Sequence, residues 1–446
     1  MSSHASGKLA VQFLMITSLA LIFGCQKRSD TEAEATKQIP VTADAQSPLN
    51  GTITGASMAP MLMGEHQASK CSECGFEMRF EIMRSISKFI CSNCGQENRL
   101  ADREVKTILG DQRLFEKRAT KQALQHWDVV AFKSATGNES DHKVKRIVGL
   151  PGETIELHSG DLWVDGERTV KPEHVFEKMK VLVHDSNSAS KASPRWIQNQ
   201  QHAHFPVKLS HDNTSLRYQH LGCYRKRDQR REELIKDSYG FNQTLSRSLN
   251  TVSDFGVEIT LSDIADLQIE LQMRTEKYGL VQFDFQQNSD HSSGDRYCVW
   301  QSRKEEDNEK RFAGPHSKLP GSGVLQFWLR DGEARLIANG AVFGECKLYE
   351  KSPAPMPAKN QLADALFEVR PSNQIVLSKL TANHGEIKRI RVFRDLYYYD
   401  RQPGRKHVIG KDEYFVLGDN VPVSNDSRHF GGIKSDSVIA VLQNIE

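Results

Sequence analysis

The sequence has no excess of charge of one sign. Lys and Arg number 59 and Asp and Glu 57, a formal net charge of +2 with no long run of either sign. Composition therefore gives no electrostatic reason to expect a nucleic-acid partner. There is no internal repeat and no extended low-complexity tract, so neither a solenoid nor a fibrous chain is indicated. The N-terminal apolar run, Leu9 to Gly24, is 16 residues long. That lies between the ~7 to 15 of a signal-peptide core and the ~20 of a spanning helix, so length alone does not settle its role. What is present, 38% hydrophobic and 26% charged residues over 446 positions, suits two or three globular domains.

The apolar run ends in "IFGC", where the small Gly24 precedes Cys25. This resembles a bacterial lipobox, whose cysteine is lipidated and becomes the new N-terminus. The expectation is that residues 1–25 are a lipoprotein signal or, alternatively, a membrane anchor. Either places the globular part at the inner membrane on its extracytoplasmic side, with membrane lipid as a partner. Residues 26–47, polar and without periodicity, read as a flexible tether.

Beyond the tether the chain reads as mainly β. "DVVAFK", "VKRIVGL" and "ETIEL" are short β-type runs punctuated by Gly and Pro. Residues 171–234 are charged and His-rich and read as a loop-rich connection, with some helix around "DQRREELIK" and histidines at the surface. From 235 to 400 the runs "VEITL", "LQIELQMR", "GLVQFDFQ", "VLQFWLR" and "IKRIRVF" alternate apolar and polar residues. The pairs Asp331-Gly332 and Asn339-Gly340 between such runs are hairpin signals, because both residues of each pair tolerate positive φ. This block reads as an antiparallel sandwich similar in pattern to laminin-G or concanavalin-like jelly rolls.

One stretch fits neither pattern. "TGASMAPMLMG", residues 54–64, sets Ser57 between small residues and a Met-x-Pro. A serine hydroxyl becomes a useful nucleophile only when a base removes its proton during attack. A lysine can do so if burial lowers its pKa from about 10.4. Lys145, in the apolar strand "HKVKRIVGL", is the candidate, on the same strand face as Ile147 and opposite to Arg146. Lys143 is the rival, but it lies nearer the polar "NESDH". As isolated features, a Ser-Met-x-Pro reads as a turn and a strand lysine as a solvated edge residue.

Four segments in order carry a specific resemblance. They are Gly55, Ser57, Met58, Pro60 and Leu62; "WDVVAF" from Trp127 to Phe132; "KRIVGLPGE" from Lys145 to Glu153; and Gly418, Asp419, Asn420, Ser424, Asp426, Ser427, Arg428 and Gly431. Together they resemble type I bacterial signal peptidases, the S26 family of Ser/Lys endopeptidases. The resemblance implies that Ser57 attacks the scissile carbonyl and that Lys145 is the general base. It implies that Ser424 orients the lysine ammonium and that the backbone N–H of Ser57 helps form the oxyanion hole. Asp426 and Arg428 are then a supporting pair, and Asp419 and Asn420 shape the turn carrying Ser424. Met58, Pro60 and Ile147 are substrate-pocket candidates. The implied substrates are exported pre-proteins cut after a small-x-small motif such as Ala-x-Ala. Gly55 stands where some members carry a serine donor, and Val421 and Pro422 where the family often has arginine and another polar residue. The apolar residues Met58, Met61, Leu62 and Met63 suit either work at a lipid surface or core packing.

Cys71-x-x-Cys74 and Cys91-x-x-Cys94, separated by 16 residues, match a structural zinc ribbon. In an oxidising compartment two disulfides are the alternative. Four thiolates leave no open coordination position, so no cofactor is expected in catalysis. Cys223, Cys298 and Cys346 are an odd remainder, from which a Cys298–Cys346 bridge is one option.

The expected organisation is a signal-peptidase-type β core formed by 48–170 and 401–446. A ribbon insert occupies 65–108, and a β-sandwich of unknown ligand occupies 235–400. Competing readings are an envelope glycan- or protein-binding scaffold and an inactive relative, the latter hinted at only by Val421. An apolar-lined groove without clustered charged or aromatic residues would disfavour the scaffold.

Overall fold

In the computed structural model, the described residues are 48–82, 87–118, 123–133, 142–188, 194–224, 231–287, 296–302, 321–348 and 374–443. Cys25, the apolar run and the expected tether lie outside them. Among the described residues no helix is long and apolar enough to cross a membrane.

The architecture is mainly β. A seven-stranded antiparallel sheet carries the serine and lysine segments. Its strands are β1 (Leu49–Thr52), β2 (Gln112–Lys117), β3 (Val129–Lys133), β4 (His142–Gly149), β5 (Glu413–Leu417), β6 (Ile433–Lys434) and β7 (Val438–Leu442). Their order across the sheet is β1-β2-β7-β3-β4-β5-β6, so residues from both ends of the described chain interleave. Val130 pairs with Lys145, and Leu417 pairs with Arg146. A four-stranded sheet, Glu167–Arg168, Asp161–Val164, Thr154–His158 and Lys406–Val408, extends this core.

Residues 66–108 form a small module of a three-stranded and a two-stranded sheet. In each Cys-x-x-Cys turn the backbone folds back on its first cysteine: Gly75 N–H donates to Cys71 O at 3.0 Å and Gly95 N–H to Cys91 O at 2.7 Å. None of the four cysteines is in a disulfide.

The sandwich is two seven-stranded antiparallel sheets enclosing one apolar core. Alternation builds it directly. In Gln268–Thr275 every second residue is buried, placing Ile269, Leu271 and Met273 inside against Val281, Phe283 and Phe285 of the next strand. Both predicted hairpin turns have positive φ at their two central residues, 49° and 81° at Asp331-Gly332 and 48° and 83° at Asn339-Gly340.

Residues 171–234 differ from expectation. They supply the helix Glu173–Met179 and the strands Val181–Asp185, Trp196–Gln198, Gln201–His202, Val207–Lys208 and Thr214–Tyr218, all five in the sandwich sheets. The sandwich therefore begins well before residue 235. These strands are short, and three of them, Val181–Asp185, Val207–Lys208 and Thr214–Tyr218, are held by pairing to longer strands such as His384–Arg394. Residues 231–236 of "DQRREELIK" are not helical. His184 and His220 are buried, not superficial. No disulfide joins Cys298 and Cys346, which lie on strands of opposite sheets.

Buried ion pairs fasten the sandwich to the core. Lys171, 1% exposed at its side chain, bonds Asp331 and lies 2.8 Å from Asp395. Lys277 spans Asp161 at 2.6 Å and Asp254 at 3.4 Å. Asp161, Asp254 and Asp331 cluster closely enough to suggest a cation site, but these lysines and Arg168 already neutralise them.

Candidate functional site

The serine segment is a closed loop leaving β1. Its base is pinned where Ile53 N–H donates to Asp111 O at 2.9 Å, Asp111 N–H to Met63 O at 2.8 Å and Met63 N–H to Asp111 Oδ2 at 2.9 Å. Gly64 and Gly110 permit this closure, since a Cβ on either would collide with the backbone of Gly55 or Ile53. Within the loop Met58, Ala59 and Leu62 are buried, which holds Ser57 half-exposed at the surface of the core.

Lys145 approaches from β4. Its Nζ lies 2.6 Å from Ser57 Oγ and 3.1 Å from Val144 O. Only 4% exposed, it has its pKa pushed down to about 8 by burial, with Lys143 adding to the effect and Asp426 and Asp419 opposing it. Lys143 itself lies over the Phe430 ring at 5.5 Å.

The segment after β5 surrounds this pair. Asn420 N–H donates to Ser57 O at 3.0 Å and Asn420 Nδ2 to Ala56 O at 3.1 Å, gripping the carbonyls on either side of the serine N–H–Cα unit. Asp419 receives Arg146 Nε at 2.8 Å and Nη2 at 2.6 Å in a buried bidentate pair. Asp419 thus fixes β4 to the turn, a firmer role than shaping the turn alone. Asp426 accepts Arg428 Nε at 2.8 Å and Gly418 N–H at 3.1 Å, and it caps the short helix Ser427–Phe430. Arg428 Nη2 reaches on to Val421 O at 2.6 Å.

Two expectations need correction. Ser424 is buried beside Gly418, but its Oγ has no hydrogen-bond partner among the described residues, so the expected bond to Lys145 is not formed. Gly418 is constrained here, because a Cβ would strike both Ser424 Oγ and Ser57 O. Met58 and Ile147, 1% and 0% exposed, are packed into separate apolar clusters, so their side chains are core rather than surface. Pro60 is half-buried at the site's edge. Met58, Leu62 and Met63 being buried, the apolar run beside Ser57 serves packing more than a lipid surface.

Sequence reasoning missed two contributors. Arg146, in the lysine motif and on the opposite strand face, carries no sequence signal for its pairing with Asp419. Asn242 exchanges two amide hydrogen bonds with Asn420, each of 2.8 Å, from a stretch that carries no motif.

Away from the serine, Cys71, Cys74, Cys91 and Cys94 bring their Sγ atoms within 4.8 Å of one another. Asn98 Nδ2 donates to Cys71 Sγ at 3.6 Å and Asn93 Nδ2 to Cys74 Sγ at 3.8 Å, as supporting groups around thiolate ligands do.

The sequence model of the family described as "Signal peptidase, peptidase S26" matches residues 89–214 and 355–445. These blocks contain Lys145 and Asp419 to Arg428, while Ser57 lies outside both. "Signal peptidase I P" of Bacillus subtilis subsp. natto is 27% identical over 124 residues, covering 27% of this chain and 65% of that protein. A second match of that name, from the same organism, is 28% identical over 74 residues, covering 16% of this chain and 39% of the relative. The chain thus spans less than two thirds of either relative. These matches support the signal peptidase family. Among solved structures, a Ruminococcus gnavus IT-sialidase CBM40 bound to alpha2,3 sialyllactose is 13% identical over 32% of this chain and 77% of its own. Sheep galectin-11 in complex with glycerol is 11% identical over 33% of this chain and 94% of its own. Both have a TM-score of 0.20, too low to carry any conclusion.

Proposed function

We propose that the protein is a membrane-tethered serine endopeptidase that removes signal peptides from exported pre-proteins after a small-x-small motif. The observation that carries this reading is the 2.6 Å approach of Lys145 Nζ to Ser57 Oγ, with the lysine buried and its proton affinity lowered. In its neutral form Lys145 accepts the Ser57 proton as Oγ adds to the scissile carbonyl. The resulting ammonium passes that proton to the leaving amine, and the acyl-enzyme is hydrolysed when Lys145 takes a proton from water. The oxyanion is met by Ser57 N–H, which no described group engages. Gly55 is exposed and adds no side-chain donor. Asn420 holds the carbonyls of Ala56 and Ser57, so this N–H is kept in a fixed direction.

Cys71, Cys74, Cys91 and Cys94 fit a structural zinc ion. When bound, zinc would close the two turns into one tetrahedral site and take no part in the reaction. The anchor at Cys25 and an extracytoplasmic position complete the reading.

The test is cleavage of a pre-protein with an Ala-x-Ala junction by the full chain in detergent. Cutting at the junction that Ser57→Ala and Lys145→Met both abolish is the expected result. Cutting that survives either substitution would refute the dyad.

One observation favours a second, binding role. A cavity of about 270 Å³ at the seam between core and sandwich is lined by His158, Trp163, Arg168, Lys277 and Tyr397 among others. His158 stacks on Trp163 at 4.6 Å, and Arg168 lies over that indole at 4.8 Å. Such charged and aromatic clustering suits a polar ligand such as a glycan. Calorimetric titration with cell-envelope glycans tests it, and no heat for the wild type would dismiss it.

A further inference from the structure

The segment Tyr239–Gln243, between the sandwich strands and far in sequence from the serine loop, touches two other parts of the molecule at once. Toward the cysteine module, Gln243 brackets Ile90, accepting from its N–H at 2.9 Å and donating to its O at 3.2 Å, one residue before Cys91. Glu81 N–H donates to Phe241 O at 3.1 Å. Gly240 lies so close to Ser92 that a Cβ would come within 2.6 Å of its side chain. Toward the serine loop, Phe241, 2% exposed, packs with Ala59 and Met63 and against Ala56. Asn242 meets Asn420 in the reciprocal amide pair, and Asn420 grips Ala56 O and Ser57 O.

Packing alone would need only Phe241. The amide pair adds direction: both partners are at least nine-tenths buried, and each fixes which way the other's carbonyl and NH₂ point. Asn420 can present NH₂ to Ala56 O only if its Oδ1 faces Asn242. A contiguous chain of contacts therefore runs from Cys91 through Ile90, Gln243, Asn242 and Asn420 to the backbone on both sides of the Ser57 N–H.

We propose that Tyr239–Gln243 is a strap that positions the nucleophile, with Asn242 as its positioning residue, and that it makes Ser57 geometry depend on the intact four-cysteine module. The proposal deepens the Ser/Lys reading and rests on it for its kinetic consequences. Its structural content, that the strap holds the loop of residues 54–64, stands apart from catalysis.

The experiment uses the full chain in detergent, with hydrogen exchange and cleavage kinetics measured on the same samples. Exchange in peptides covering residues 54–64 should rise in Asn242→Ala, in Gln243→Ala and in wild type treated with a zinc chelator. Unchanged exchange in Asn242→Ala overturns the proposal whether or not any peptide is cut. In cleavage, Asn242→Ala should lower kcat on the order of 10- to 100-fold with KM little changed, the scale expected for a misplaced reacting group. The kcat/KM midpoint near pH 8 should stay, because Lys145 keeps its surroundings. The loss should be non-additive with Asn420→Ala, since both substitutions break one linkage. Wild-type kcat in Asn242→Ala, or full additivity, overturns the positioning role. Cutting that persists in Ser57→Ala would instead refute the Ser/Lys reading, and the exchange result would still decide the strap.

Discussion

The sandwich buries one continuous apolar slab, from Trp196 through Phe283 and Phe327 to Val392. The sheets around Ser57 divide their apolar residues among smaller clusters, with Lys145, Arg146, Asp419, Asn420, Ser424, Asp426 and Arg428 buried between them. Both regions are antiparallel β, so the contrast is not one of secondary structure. A slab needs only alternation and is stabilised by burying apolar area. A site needs charges held out of water, and each must be matched by a partner in fixed geometry. The sandwich buries charges too, each matched: Arg195 by Tyr218 and Glu258 by Arg391 within it, and Lys171 and Lys277 by carboxylates at its seam with the core.

The contrast can be broken most sharply in activity. Ser57→Ala or Lys145→Met should reduce turnover by about 10⁴-fold or more, as loss of a nucleophile or its base does. Phe283→Ala in the slab should leave residual folded enzyme cutting at the same junction, read by mass spectrometry of the products.

In stability the two regions should respond through different mechanisms. Asp419→Ala strands a buried guanidinium and should destabilise by about 3–5 kcal/mol. Phe283→Ala should lose a similar amount, about 3–5 kcal/mol, by leaving a cavity. Denaturant melts measure both, and the difference lies in the remedy. Asp419→Asn should recover little, while Phe283→Leu should recover most.

Lys145 gives the next effect, opposite in sign to the usual core substitution. Its pKa in the folded chain, about 8, lies below its ordinary 10.5, so the unfolded chain binds more protons between those values. Wild-type stability contributed by this group therefore rises as pH rises through that window. At pH 7 Lys145→Met should stabilise the protein by about 1–3 kcal/mol, and the gain should vanish above pH 10.5. The kcat/KM of wild type should climb tenfold per pH unit below about 8 and level above it, where the amine is neutral.

The smallest effect belongs to a turn. Gly332 has φ of 81°, where an L side chain is strained, so Gly332→Ala should lower sandwich stability by about 1 kcal/mol while leaving kcat unaltered.

Legibility in the sequence followed the same division. Long alternating strands and the Asp-Gly and Asn-Gly turns were readable because their signals are local. Ser57 and Lys145, 88 positions apart, were readable together through four ordered motifs, and the structure brings them within hydrogen-bonding distance. The short strands Val181–Asp185, Val207–Lys208 and Thr214–Tyr218 were not readable, because partners far along the chain hold them. The burial of Met58 depends on how the serine loop folds over the sheet, and that of Ile147 on packing with Val416 and Ile433 from far along the chain, which no run of residues reveals. Asn242 was invisible because one asparagine in a polar stretch gains its role only from Asn420 opposite.

The strand order of the core has a consequence for synthesis on the ribosome. β7 lies between β2 and β3, and Asn420 and Asp426 follow β5, yet all are translated hundreds of residues after Ser57. While the sandwich is being made, the serine and lysine segments lack the strand that joins their sheet and the residues that grip the loop. On the proposed Ser/Lys reading, the dyad of a nascent chain is therefore without its grip until the segment 413–442 has emerged, which ties competence to a late event in synthesis.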